Sequence, residues 1–484
     1  MTRPPRFALA PDLSISRVLT GLWQVADMEK GGTPLDTETA AEALLAYAAE
    51  GFDTFDMADH YGSAELIAGA ALRRAGTRPL CFTKWCPAPG PMTADVVRQG
   101  VAERLARLGV DCVDLLQFHW WSFEHPAWLD ALHEMKRLRE KGMIRALGVT
   151  NFDAAHLGLA LADGIPLVSN QVSFSLIDRR AAGPLSHLCA ARGVHLLAYG
   201  TLCGGFLTDR WLDKPRPDDV ADWSGMKYLR FIDAAGGWEV LQGILRAAGA
   251  VACKHGVSIA NVATRWVLDH PAVAGAIVGV RLGERAHRAD NLRLFAYEMD
   301  AEDRARLADA CARATPIPGD CGDEYRRPPF LTASGDLSHH LDAIPSVNDV
   351  VPDPAHPDRA RVFSGSEWEP IAGYCRAIRH GRRVQVSGTT ATHGRDRPVA
   401  PGDAGAQTVY TLDKITAALR ALGAGVQDVT RTRIYLADIA DAEAVSRAHG
   451  RVFGETPPAN TLLAVGGLVG EYRVEIEAEA ELPS

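Results

Sequence analysis

The sequence predicts an α/β protein of two folded units, a (β/α)8 TIM barrel over residues 1–320 and a smaller α+β domain over residues 358–484. Three observations carry this. From Ser14 to about residue 315, short apolar runs end in polar clusters and are followed by amphipathic helical stretches, which is β/α alternation. Between about residues 316 and 357 the chain is rich in Pro, Asp and Gly and has no sustained period. From Phe363 onward, strands and helices follow in a different order.

The strands expected in the first unit are Val18 to Leu22, Phe52 to Asp56, Leu80 to Lys84, Val113 to His119, Ile144 to Thr150, Leu167 to Val172, Val194 to Tyr199 and Ala274 to Val280. Between them, Asp36 to Glu50, Asp95 to Arg107, Trp128 to Lys141 and Ile259 to Leu268 carry apolar residues at helical spacing. Eight such units fit a closed barrel, which needs about 250 residues and more with long loops. A doubly wound open sheet is the alternative, and the lack of GxGxxG after the first strand counts against it. Residues 321–357 read either as a free linker or as a segment wrapped on the barrel through Tyr325, Phe330 and Leu331. In the second unit, VQVSG and TRTRIYLAD flank the helix VYTLDKITAALRALG; DAEAVSRAHGRVF is a second helix and RVEIEAEAEL a closing half-buried strand.

With 484 residues, 47% of them hydrophobic and 23% charged, the chain can bury a sizeable core, and its length favours two domains over one. A net charge of -9, with no basic run and no zinc-finger spacing, argues against nucleic acid as a partner, and no metal site is expected. No stretch approaches about 18 uninterrupted apolar residues and the N-terminus lacks a secretory h-region, so a soluble cytoplasmic protein away from membranes is expected. Nine scattered cysteines without CxxC spacing fit reduced thiols.

Polar residues able to do chemistry recur where the expected strands end: Asp56 after FDTF, Lys84 after CFT, His119 after DLLQF, Asn151 after LGVT and Gln171 after VSN. In a barrel those ends converge on one mouth. Alone, each has a structural reading, as half of an ion pair, a cap or a core residue. Five together point to a site. The stretches DTFDMADHYGSAE, CFTKW, DLLQFHW, GVTNF and NQVSFSL resemble the aldo-keto reductase family over residues 14 to 300. The resemblance implies a catalytic set of Asp56, Tyr61, Lys84 and His119. Its logic is chemical. Hydride addition to a carbonyl builds charge on oxygen, so an acid must deliver a proton. A Tyr phenol, with an ordinary pKa of about 10, needs a neighbouring ammonium to serve near neutrality. Lys84 supplies the ammonium, Asp56 holds it, and His119 positions the carbonyl.

The same resemblance implies that Thr150, Asn151 and Gln171 hydrogen-bond the nicotinamide carboxamide and that Tyr199 stacks on the ring. GTLCGGFLTDR looks like the loop over the pyrophosphate, with Gly200, Leu202 and Gly204 contributing, and Gly204 and Gly205 allowing close backbone approach. AIVGVRLGERAHRADNLRLF resembles the adenosine-end segment: Gly279 precedes Arg281 and Arg285, the alternatives for a 2′-phosphate, and Asn291 lies beside the adenine. NADPH is favoured, with NADH the alternative. Trp23, Trp85, Trp120 and Trp121 fall near the expected mouth and read as an aromatic substrate wall or as core. The insert from Trp211 to Trp238 reads as a lid or a docking surface.

IAGYCRAI, VQVSGTT, the VYTLDKITAALRALGAGVQDV helix, PPANT and VEIEAEA resemble the RidA/YjgF family, small trimeric proteins of chorismate mutase-like α+β fold whose best-known members hydrolyse reactive imines and enamines. Active members place a carboxylate-binding Arg directly after Pro-Ala, where this chain has Asn460, while Tyr374, Ser387 and Glu475 match the other pocket positions. An amide lacks the guanidinium fork, which points away from imine deamination and towards assembly or ligand binding. The resemblance also implies a homotrimer. The expected function is reversible reduction of a small-molecule aldehyde or ketone to an alcohol. The alternative is an NADPH-binding, redox-sensing subunit with little turnover.

Overall fold

Apolar runs ending in polar residues fold here as strands that bury their runs and leave the polar ends at one rim. The computed structural model describes residues 3–27, 31–284, 286–327 and 338–483. A hairpin of β1 (Arg6–Ala10) and β2 (Leu13–Ser16) comes first. The barrel strands are β3 (Val18–Gly21), β4 (Thr54–Asp56), β5 (Leu80–Trp85), β6 (Val113–Phe118), β7 (Ile144–Thr150), β8 (Leu167–Ser173), β9 (His195–Tyr199) and β10 (Val273–Gly279). They pair in parallel in that order, and β10 pairs with both β9 and β3, so the sheet closes. Closure excludes the open doubly wound sheet.

The hairpin plugs one end of the barrel. Leu9, Leu13 and Ile15 pack on Leu19, Phe82, Leu115 and Leu197, which lie near the starts of their strands. With that end closed, the opposite end, where Asp56, Thr150 and Tyr199 terminate their strands, is the open mouth. The helices stop and start where local chemistry directs. Asp36 caps Thr37–Ala49 by accepting from Thr39 N at 2.9 Å, and Gly109, at φ +67°, ends Ala94–Leu108. The Trp211 to Trp238 insert contains a helix, Trp223–Ala234, capped by Asp222.

Residues 320–327 wrap back onto the barrel mouth. Arg326 donates to Trp120 O at 2.8 Å and to Asn151 O at 2.6 Å, and its guanidinium lies 4.3 Å over the Phe123 ring. Phe330 and Leu331, the other expected anchors, lie outside the described residues. A seven-stranded sheet then begins at Asp349, before residue 358 and within the stretch that has no sequence period. Its strands are β11 (Asp349–Asp353), β12 (His356–Phe363), β13 (Ala377–His380), β14 (Arg383–Thr389), β17 (Val429–Leu436), β18 (Ala459–Ala464) and β19 (Val474–Glu481), in the order β11-β12-β13-β14-β19-β17-β18. A two-stranded ribbon, β15 (Thr392–His393) with β16 (Arg397–Pro398), lies between β14 and the long helix Ala404–Ala421. The first hairpin escapes the sequence pattern because β11 is exposed along most of its length and shows no buried alternation.

The two units dock through that long helix. Val399, Ala400, Ala406, Val409 and Tyr410 join the barrel's Leu157 and Ala160 in one buried apolar cluster. Polar contacts ring it: His393 to Asp130 at 2.7 Å, Arg397 to Asp163 at 3.0 Å, and Arg420 to Glu124 at 2.6 Å. Among the described residues, no helix is long and apolar enough to cross a membrane.

Candidate active site

Asp56 ends β4 and is buried, which obliges its carboxylate to find donors. Oδ2 accepts from Lys84 Nζ at 2.8 Å; Oδ1 accepts from Gln171 Nε2 at 2.7 Å and from Gln117 Nε2 at 3.3 Å. Gln171 Nε2 also lies 3.0 Å from Gln117 Oε1. The Gln171 amide nitrogen is thus a brace for Asp56. Gln117 is a residue that sequence reading missed, although it stands on β6 two positions before His119 and shares its alternation.

Lys84 Nζ sits 5.1 Å from the centre of the Tyr61 ring. Edge-to-face contacts fix that ring, with Trp23 at 5.0 Å and His60 at 4.8 Å. Asp59 locks the turn: it accepts from His60 N at 2.8 Å and from Cys86 N at 2.9 Å, and lies 3.0 Å from His60 Nδ1. Asp59, His60 and Cys86 are close enough to suggest a metal trio. The hydrogen bonds to Asp59, and a Cys86 thiol pushed well above its ordinary value by burial, make it a brace for the Tyr61 turn instead.

His119 follows β6, fixed by its N–H to Trp85 O at 3.0 Å. Its ring meets Trp121 at 4.5 Å and Tyr325 at 5.4 Å. Among the described residues neither ring nitrogen makes a hydrogen bond of ordinary geometry, although the Thr150 backbone favours the charged ring. Burial, aided by the Arg326 charge, pushes His119 well below the usual imidazole range, so it is neutral.

On the next strands, Thr150 Oγ1 donates to Gln171 O at 3.0 Å, and Asn151, a non-glycine at φ +61°, accepts on Oδ1 from Tyr199 OH at 2.8 Å. Burial pushes the Tyr199 phenol well above its ordinary value. The loop after β9 turns through Gly200 at φ +70° and Gly204 at φ +65°, and the helix Trp223–Ala234 packs against it through Tyr228. Gly279 ends β10; Arg281 is half-exposed, and among the described residues its one ion pair is to Glu284 at 3.9 Å.

One cavity of about 760 Å3 gathers these groups. It is lined by Asp56, Tyr61, Lys84, His119, Thr150, Asn151, Gln171, Tyr199, Gly200, Leu202, Gly204, Gly279, Arg281 and Asn291. Arg285 lies outside the described residues. Trp23 and Trp121 face the cavity, as does the insert through Asp219 to Gly225, so the insert is a wall of the site. Trp85 and Trp120 are core: Trp120 stacks on Phe118 at 5.8 Å, and Trp85 fills the space a side chain at Gly100 would need. Strand alternation explains Trp85, which follows the inward-facing Lys84 on β5; Trp120 lies beyond the end of β6, where its indole N–H donates to His125 O at 2.9 Å. Tyr325, read from the sequence as an anchor of the wrapping segment, and Lys227, which no local signal marks, also line the cavity.

In the second unit, Arg376 gathers three of the four expected residues. It donates to Gly388 O at 2.7 Å, beside Ser387, and to Tyr374 OH at 3.3 Å. Glu475 is packed against Gly388, with its carboxyl raised by burial and by Glu477. Ser387 Oγ donates to Cys375 O at 2.8 Å. Asn460 does not join them. It is exposed on the edge strand β18, opposite Thr432.

Comparison with known proteins agrees with this architecture. The Aldo/keto reductase family matches residues 17–312, and the Endoribonuclease L-PSP family matches residues 364–482. Flagellar radial spoke protein 5 of Chlamydomonas reinhardtii is 33% identical over 194 residues, 36% of this chain, which spans only 35% of that protein. The NADH-specific methylglyoxal reductase of Escherichia coli is 23% identical over 330 residues, 62% of this chain and 97% of that protein. The solved glycerol dehydrogenase of Gluconobacter oxydans is 25% identical with a TM-score of 0.52, covering 64% of this chain and 95% of its own. The chain therefore belongs to the aldo/keto reductase family of oxidoreductases acting on carbonyl and CH–OH groups, with a RidA/YjgF-like L-PSP domain fused after the barrel.

Proposed function

We propose that the barrel is an NADPH-dependent reductase of aldehydes or ketones. The single observation that carries the reading is the convergence of Tyr61, Lys84 braced by Asp56, and a neutral buried His119 on one cavity. The cavity suits a dinucleotide. It runs from these residues past the glycine loop to Arg281 and Asn291, and the unmatched ring nitrogens of His119 suit a carbonyl oxygen. Thr150, Asn151, Tyr199 and the Gly200–Gly204 loop would hold the nicotinamide half, and Arg281 the 2′-phosphate. When bound, the nicotinamide supplies a hydride. Tyr61 gives its phenolic proton to the carbonyl oxygen, Lys84 stabilises the phenolate that remains, and Asp56 keeps Lys84 in place. His119, being neutral, orients the carbonyl by hydrogen bonding.

The test is Tyr61→Phe in the full-length chain. Oxidation of NADPH by a panel of aldehydes should fall by about three orders of magnitude or more, while NADPH binding, read by its fluorescence, stays within a few-fold. Wild-type protein that binds the cofactor but turns over no carbonyl would favour a redox-sensing subunit. Running the panel with NADH decides the cofactor, a live question because the Escherichia coli relative is named for NADH.

We propose further that the second domain serves homotrimeric assembly or ligand binding. Its long helix packs on the barrel, and its edge strand β18 is exposed at Leu463, with Val469 exposed in the loop that follows. Light scattering of the whole chain reads the oligomer, and assay with an amino-acid-derived imine reads the hydrolysis that exposed, uncharged Asn460 argues against.

A further inference from the structure

We propose that the carbonyl substrate carries a carboxylate and that Lys227 binds it; this rests on the reductase reading above. Lys227 is on the helix Trp223–Ala234, is 6% exposed, and lines the same cavity as Tyr61, Lys84 and His119. A buried ammonium needs acceptors. What surrounds it is aromatic. Nζ donates to Tyr325 OH at 2.5 Å and lies 4.4 Å from the centre of the Tyr325 ring and 5.1 Å from that of Tyr199. Such faces favour a cation without neutralising it.

Among the described residues Lys227 forms no ion pair. Glu324 is the acid that feels its charge, but the oxygens of Glu324 are engaged: Oε2 lies 2.9 Å from Arg180, which Asp178 also holds at 2.7 Å, and accepts from Gly322 N at 3.0 Å, while Oε1 accepts from Tyr199 OH at 3.3 Å, so Glu324 acts on Lys227 through its field and not by contact. An anion entering the cavity is the partner that completes the site. Position selects which anion. The Tyr325 ring is 5.4 Å from the His119 ring, so Lys227 stands beside the reacting end of the cavity, and Arg281 stands at the other. A substrate with its carbonyl at His119 and Tyr61 would place a carboxylate a few carbons away at Lys227, with the link between them against Trp121.

The test compares full-length wild type, Lys227→Met and Lys227→Arg on succinate semialdehyde and on butanal, which has the same chain length and no charge. Wild type should prefer the semialdehyde. In Lys227→Met the ratio of kcat/KM for the two aldehydes should move about 30- to 100-fold towards butanal, the scale of one charge-assisted hydrogen bond. Lys227→Arg should recover much of the preference, and melting curves check that both variants fold. The cofactor pyrophosphate is the rival anion. A Lys227→Met variant whose NADPH affinity falls in step with turnover of both aldehydes would assign Lys227 to the cofactor and overturn the inference. Turnover of both aldehydes by wild type without preference for the carboxylate would overturn it too, leaving the reductase reading intact. No turnover of either aldehyde or of the wider carbonyl panel would sink both.

Discussion

His156 of the barrel lies 3.0 Å from Asp413 of the second domain and 2.7 Å from Asp153, with its ring stacked on Phe123 at 3.6 Å. Burial opposes a charged imidazole here, but Asp153 and Asp413 outweigh it and hold its pKa above the ordinary value. Asp153 is correspondingly held well below the carboxylate range by His156 and Arg451, against burial. Across the same junction, burial raises Glu124 to about 7 despite Arg420.

Docking of the two units should therefore weaken as pH rises. The contribution of His156, raised in the folded state, is complete below its unfolded value of 6.5 and lost as pH climbs through the higher folded value. Glu124, also raised, must ionise against burial as pH passes about 7, which acts in the same direction. Asp153 works oppositely only in acid, where its contribution fails far below neutrality. Melting temperature of the full chain should decline between pH 6 and 8.5. Asp413→Asn should lower it at pH 6 by an amount equivalent to about 2–4 kcal/mol and flatten the slope; an unchanged slope would refute the assignment.

Asp56→Asn replaces an acceptor of three N–H bonds with an amide that must turn a donor towards Lys84 or Gln171. Turnover should fall by about 100-fold or more, with NADPH affinity changed only a few-fold. Single-turnover kinetics separates the two.

His119 is neutral across the working range, because burial keeps it well below 6.5. The pH profile of kcat/KM should show no break near 6.5 attributable to it. A limb there that vanishes in His119→Gln would contradict a neutral, orienting histidine.

Gly322 holds φ +88°, and a Cβ there would run into Asn151 O and the Arg326 guanidinium. Gly322→Ala should destabilise by about 1–3 kcal/mol and raise KM, since the strap carries Tyr325 and Arg326 against the mouth. Thermal melts and steady-state kinetics read both effects.

Arg281→Ala should weaken NADPH binding about tenfold or more and leave NADH binding within a few-fold, if its half-exposed guanidinium meets the 2′-phosphate. Equal loss of both cofactors would point elsewhere in the segment, with Arg285→Ala as the paired measurement.

The sequence by itself determined the barrel and the identities of the strand-end residues. Apolar runs ending in Asp56, Lys84, His119 and Asn151 are local, periodic signals, and a closed parallel sheet brings such ends to one mouth whatever the loops do. Only the tertiary structure decided what lies above that floor. Lys227 and Tyr325 are 98 residues apart, on a loop insert and on a segment without periodicity, and their meeting depends on how each packs on the finished barrel. It also decided that Trp85 and Trp120 are core while Trp23 and Trp121 face the site, because Trp23, Trp120 and Trp121 stand beyond the ends of β3 and β6, where no strand alternation fixes the direction of a side chain. The docking of Asp413 on His156 was equally illegible, since a pair formed across two separately folded surfaces leaves no pattern in either stretch of chain.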